Sequence, residues 1–133
     1  MPNNLAFYAI PATWVIGQSC HWYAIWLTLS NKGLPGFDVS DVRSFQAKVA
    51  TMDRKNPNVG KFVRAEAATS NMYETLPLFA GAVVAGAVAR LPLDVQHRFA
   101  WTYVALRFVY SLLYINISNR KYAGAGKSFH QAF

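Results

Sequence analysis

The chain is poor in cysteine and in charge, and both shortages narrow what it can be. Its one cysteine, Cys20, excludes an internal disulfide and any cysteine-based metal site. In an apolar stretch such a residue reads as a small packing group. Only 14% of the residues are charged, where soluble domains carry roughly 25%. The shortage is uneven. Asp and Glu number 6 against 13 Lys and Arg, for a net charge of +7. Residues 7–29 contain no Lys, Arg, Asp or Glu. The basic residues are not gathered into a helix or motif that reads nucleic acid, so no nucleic-acid partner is expected. There is no internal repeat and no low-complexity segment. The start of the chain lacks a basic n-region, and its first apolar run is too long for the h-region of a cleavable signal peptide.

What is abundant points to lipid. Hydrophobic residues make up 53% of the 133, with four Trp, seven Tyr and nine Phe. That length holds one domain. Residues 7–29 are 23 in number, enough to cross about 30 Å of hydrocarbon as a helix. Pro11 lies in the first turns, where proline is tolerated. Trp14, Trp22, Tyr23 and Trp26 are candidates for an interfacial aromatic belt. His21 is expected to bond to a neighbouring helix or to face the bundle, and alone it supports no metal. A soluble helical bundle is the competing reading, and it requires residues 7–29 to be buried core.

Residues 30–63 are polar and broken by Gly33, Pro35, Gly36, Pro57 and Gly60. They read as a surface loop with a short helix over 41–52, capped by Asp41 or Ser40, and a turn at 53–58. Residues 66–91 read as a second span. Gly81, Ala85 and Ala89, with Ala82 and Gly86, place small residues every four positions, which lets helices approach closely in lipid. Pro77 is expected to kink this helix or loosen one turn. Residues 95–117 read as a third span. Residues 118–133 carry too many charges to cross a membrane. Seven basic residues lie between Lys32 and Arg64, and Arg120, Lys121 and Lys127 follow in the tail; only Arg90 and Arg98 lie on the opposite side. The loop and tail therefore face the cytosol, with the N-terminus lumenal or external.

Two of these spans carry polar stripes. Arg64 and Asn71 are seven residues apart, nearly two helical turns, and Glu74 lies beside Asn71. Arg107, Tyr110 and Tyr114 form the second stripe, at i, i+3 and i+7. Polar groups in an apolar helix are there either to satisfy one another or to bind something. In the first case Glu74 pairs with Arg107 and the tyrosines bond to backbone carbonyls. In the second, the stripes line a pocket near the cytosolic face for an anionic, peptide-like ligand. Arginine grips carboxylates, glutamate holds an ammonium, and arginine with tyrosine favours a thiolate over a thiol.

Residues 64–79 resemble the signature of the MAPEG family, the membrane-associated proteins of eicosanoid and glutathione metabolism. The shared elements are Arg64, Asn71, Glu74, Pro77 and Phe79; Arg107, Tyr110 and Tyr114 are similar to the family's Arg-x-x-Tyr-x-x-x-Tyr. The chain looks closest to short fungal or bacterial-type members. It departs at Ala67, where many members have a second arginine, and at Thr69, where they have His or Gln. The resemblance implies an all-α integral membrane helical bundle and a homotrimer, with glutathione bound between subunits as co-substrate. Three spans are expected here, the family's fourth helix having no counterpart. Carried over by position, Arg64, Asn71, Glu74 and Tyr114 bind glutathione and Arg107 and Tyr110 are catalytic. The activity implied is a glutathione-dependent transferase or peroxidase acting on lipophilic electrophiles. A non-catalytic membrane scaffold or lipid-binding member is the alternative. The setting is the endoplasmic reticulum or another endomembrane if the source is eukaryotic.

Overall fold

A computed structural model describes residues 3–30, 33–53 and 55–117. Among these residues the chain is all helical, with four α-helices and no strand: α1 (Ala9–Leu29), α2 (Val42–Ala50), α3 (Pro57–Val88) and α4 (Leu93–Asn116). A short 3₁₀ turn, Leu5–Tyr8, leads into α1. The expected basic tail, residues 118–133, lies outside the described residues, as do Lys32 and Arg54.

The caps explain most boundaries. Asp41, one of the two expected caps, accepts from Ser44 N at 3.1 Å and starts α2. Hydrogen bonds from Ser44 hold its carboxyl below the usual aspartate range. The expected loop over 57–63 is instead the first two turns of α3. Asn56 caps Asn58 N at 3.0 Å, and Pro57 occupies the first helical position, where its missing N–H goes unused. Pro77 does not interrupt α3, which runs 32 residues. The helix ends in a left-handed residue, Arg90 (φ 55°), and Leu91 N bonds back to Gly86 O at 3.1 Å.

Antiparallel α1 and α3 are held by close backbone approach. Thr69 Oγ1 donates toward Gly17 O (3.2 Å) and Ala65 O (3.0 Å). A Cβ on Gly17 would fall 2.8 Å from Met72 Cγ, and Met72 is buried. Gly17→Ala is therefore expected to lower the stability of the detergent-solubilised protein by about 1–3 kcal/mol through overpacking. Thermal unfolding checks this; an unchanged midpoint would mean that the contact is looser than the geometry. Helix α4 runs parallel to α1 and antiparallel to α3. Asn4 donates to Gln96 at 2.6 Å near its start, and Leu5 N donates to His97 Nε2 at 3.1 Å. One buried cluster gathers Leu27, Phe45, Val49, Val59 and Phe62 around α2; the other gathers Ala6, Phe79, Val83 and Ala100.

The helices cover the three segments expected to span a membrane, but among the described residues none is long and apolar enough to do so. Length is adequate at 21, 32 and 24 residues. Apolarity falls short, because α1 carries Gln18, Ser19 and His21, α3 begins with polar turns, and α4 carries Asp94, Arg98 and Arg107. The outward faces nonetheless hold many large hydrophobics, among them Trp14, Trp22, Leu78, Leu106, Phe108 and Leu113.

Candidate functional site: the seam between α3 and α4

Antiparallel packing lays the two polar stripes along each other. At one end Arg64 Nε donates to Ile115 O at 2.9 Å. Nearly two turns along α3, Asn71 Nδ2 donates to the Tyr110 hydroxyl at 3.2 Å. Tyr110 stacks on Tyr114, ring centroids 5.5 Å apart. One turn further, Arg107 donates from Nε to Tyr103 Oη (3.0 Å) and from Nη2 to Thr75 Oγ1 (2.5 Å). Tyr103 Oη lies 3.2 Å from Thr75 Oγ1, which in turn donates to Asn71 O at 3.0 Å. The protons fit one chain: arginine to both hydroxyls, tyrosine to threonine, threonine to backbone. The guanidinium carbon also sits 5.2 Å from the Tyr103 ring centroid and 5.7 Å from that of Tyr110, within cation–π range.

Five of the six expected site residues thus meet in one seam. The sixth, Glu74, is exposed on the same helix and makes no hydrogen bond or ion pair among the described residues. The pairing of Glu74 with Arg107, one of the two sequence-based alternatives, does not form. Thr75, opposite it across the seam on α3, and Tyr103, one turn earlier on α4 itself, take the arginine instead. Nor does either stripe tyrosine bond to a backbone carbonyl among the described residues: Tyr110 meets Asn71, and Tyr114 stacks on Tyr110. The only ion pairs among the described residues are His21–Glu66 and Arg98–Asp94, so the half-buried charges of Arg64 and Arg107 face no carboxylate there.

Sequence reasoning missed Thr75 and Tyr103. Tyr103 was legible, standing four residues before Arg107 on the same stripe. Thr75 was not, since a threonine in a helix ordinarily bonds its own backbone.

A second polar cluster joins α1, α2 and α3. His21 Nδ1 lies 2.8 Å from Glu66 Oε1, and Gln46 Nε2 donates to Glu66 Oε2 at 2.7 Å. Phe37 meets the His21 ring edge-on at 6.5 Å. His21 is thereby bonded to a neighbouring helix, as expected, and Glu66 is the partner the sequence did not single out. Glu66→Ala would leave two polar side chains unpaired and release α2. Protease cleavage within residues 37–52 should then rise, with a stability loss of about 1–3 kcal/mol. An unchanged cleavage pattern would show that α2 is held by Phe45 and Val49 alone.

Among the described residues no group of His, Cys, Asp and Glu could hold a metal ion. A family model described as "MAPEG family" matches residues 36–133. That span includes both stripes and leaves α1 outside. No curated protein and no solved structure matches the chain.

Proposed function

The chain belongs to the MAPEG family, and on that premise we propose that it is a glutathione-dependent transferase or peroxidase acting on lipophilic electrophiles at the membrane. The observation that carries this reading is the set of uncompensated charges along the α3–α4 seam. Arg107 is held by two neutral hydroxyls and by no carboxylate, while Glu74 stands exposed without a cation among the described residues. A zwitterionic peptide complements both. Arg64 carries a second cation, with its Nε turned to Ile115 O.

The residues fit the tripeptide. Glu74 would take its ammonium, Asn71 its amide backbone, and Arg64 a carboxylate; Tyr114 would wall the site through its stacked ring. Bound there, glutathione would supply a thiol whose deprotonated sulfur is the nucleophile. Arg107 and Tyr110 are the groups that favour that deprotonated form. The Tyr110 hydroxyl accepts from Asn71, so its own hydrogen is free to point outward. Arg107 is preorganised by Thr75 and Tyr103, so its charge needs no reorientation during the reaction.

Exposed apolar faces on α1 and α4, and the family's membrane association, support lipid as the surroundings and the source of the second substrate. A homotrimer would bury part of these faces and the exposed side of the site. The test is titration of glutathione into detergent-purified protein. Binding in the millimolar range or tighter, about fivefold weaker in Asn71→Ala for the loss of a neutral hydrogen bond, is expected. No binding at millimolar glutathione would overturn the enzyme reading. It would leave the non-catalytic scaffold or lipid-binding reading, which Ala67 favours because it removes one carboxylate grip.

A further inference from the structure

On its other side, α4 forms a cleft with α1. The cleft measures about 250 Å³ and is walled mainly by Ile16, Tyr23, Phe108 and Leu112, with Cys20 and Ser111 at its base. Ser111 is 4% exposed, and its hydroxyl has no hydrogen-bond partner among the described residues. This is unusual within the molecule. The other buried hydroxyls, Thr13, Thr28 and Thr69, each bond to a backbone carbonyl three or four residues earlier. Ser111 does not, although its helix offers the same carbonyls. Its one polar neighbour is the Cys20 sulfur, a weak acceptor whose thiol is directed to Ile16 O at 3.4 Å. Buried polar groups without partners are rare in native proteins and usually await a water or a ligand.

Two further polar side chains of the cleft are turned to backbone, and Tyr23, half-buried, presents its ring, stacked on Trp26. Ser19 donates to Ile16 O, and Asn116 donates to Leu112 O. No described residue lining the cleft is charged. An ionised fatty acid or a phosphate head would therefore be buried without a counter-charge, which is costly. The volume suits roughly eight heavy atoms at about 30 Å³ each.

We propose that the α1–α4 cleft binds a small neutral amphiphile: a hydrocarbon chain of medium length ending in one uncharged oxygen, alcohol or carbonyl, that hydrogen-bonds to Ser111. The apolar walls hold the chain, and the head satisfies the one buried hydroxyl left without a partner among the described residues. The site stands apart from the α3–α4 seam and depends on neither Arg107 nor glutathione.

The test uses the whole protein in lipid nanodiscs with a diazirine-bearing derivative of 1-octanol, crosslinked by light and mapped by peptide mass spectrometry. Crosslinks should concentrate on residues 16–23 and 108–116, and unlabelled 1-octanol should compete better than n-octane. Ser111→Ala should weaken competition by 1-octanol about three- to tenfold while leaving n-octane unchanged. Ser111→Phe should remove the crosslinks by filling the cleft. Crosslinks spread over every apolar face would overturn the proposal. So would equal competition by 1-octanol in wild type and Ser111→Ala; the hydroxyl then binds only water. Because glutathione titration is a separate measurement, failure here and failure of the transferase reading are told apart.

Discussion

Replacing Arg107 with leucine should lower glutathione-dependent turnover by about 10²–10³-fold, the usual loss when a preorganised group facing a developing negative charge is removed. The geometry makes this the most sensitive position in the seam. Arg107 is half-buried, and its two recorded contacts through nitrogen are to the neutral hydroxyls of Tyr103 and Thr75. Its full charge is therefore available to the ligand. Leucine keeps much of the side-chain bulk, and the loss should lie in turnover far more than in folding. Tyr103→Phe provides the comparison. It removes one of the two hydroxyls that aim the guanidinium but keeps the ring that stacks on Phe79 at 3.9 Å. A smaller loss, about tenfold, is expected there, with affinity for glutathione nearly intact. Equal activity in wild type and Arg107→Leu would remove Arg107 from the chemistry.

The second large effect belongs to Glu74 and should appear in affinity. Its carboxylate has no partner among the described residues. Removing it therefore costs the folded protein little. If it holds the ammonium of the tripeptide, Glu74→Ala loses a hydrogen bond between charges, about 1.5–3 kcal/mol, or ten- to 150-fold in Kd. Glu74→Gln should fall between, since the amide keeps an acceptor and loses the charge. Calorimetry on the three proteins gives the order wild type, Gln, Ala. An unchanged Kd in Glu74→Ala would show that the ligand lies elsewhere on α3. An unchanged unfolding midpoint in the same variant separates binding from stability.

Periodicity and composition located the helices because apolar runs of that length have few other uses. They placed α1, α2 and α4 within a few residues. They missed the start of α3, although Asn56 before Pro57 is a strong start signal; Pro57 and Gly60, read as loop breakers, masked it. Helical spacing also put Arg64, Asn71, Arg107, Tyr110 and Tyr114 on matching stripes, and packing brings those stripes together. What spacing does not give is the choice of partner. Glu74 and Arg107 looked complementary in charge, yet Thr75 across the seam and Tyr103 one turn back on α4 take the guanidinium. Glu66 was equally hidden. Its role depends on His21 and Gln46, which lie 45 and 20 residues away and meet only when α1 and α2 dock on α3. Ser111 could not have been singled out at all, because a serine in a helix looks self-satisfied until its neighbours are known.

In the proposed reaction the seam holds glutathione with its sulfur deprotonated beside Arg107 and Tyr110. Ultraviolet difference spectroscopy reads this directly, because a thiolate absorbs where a thiol does not. Titrating glutathione into wild-type protein at neutral pH should produce a saturable thiolate band. Arg107→Leu should abolish the band while calorimetry still detects binding. Binding without a band in the wild type, or an undiminished band in Arg107→Leu, would contradict the account.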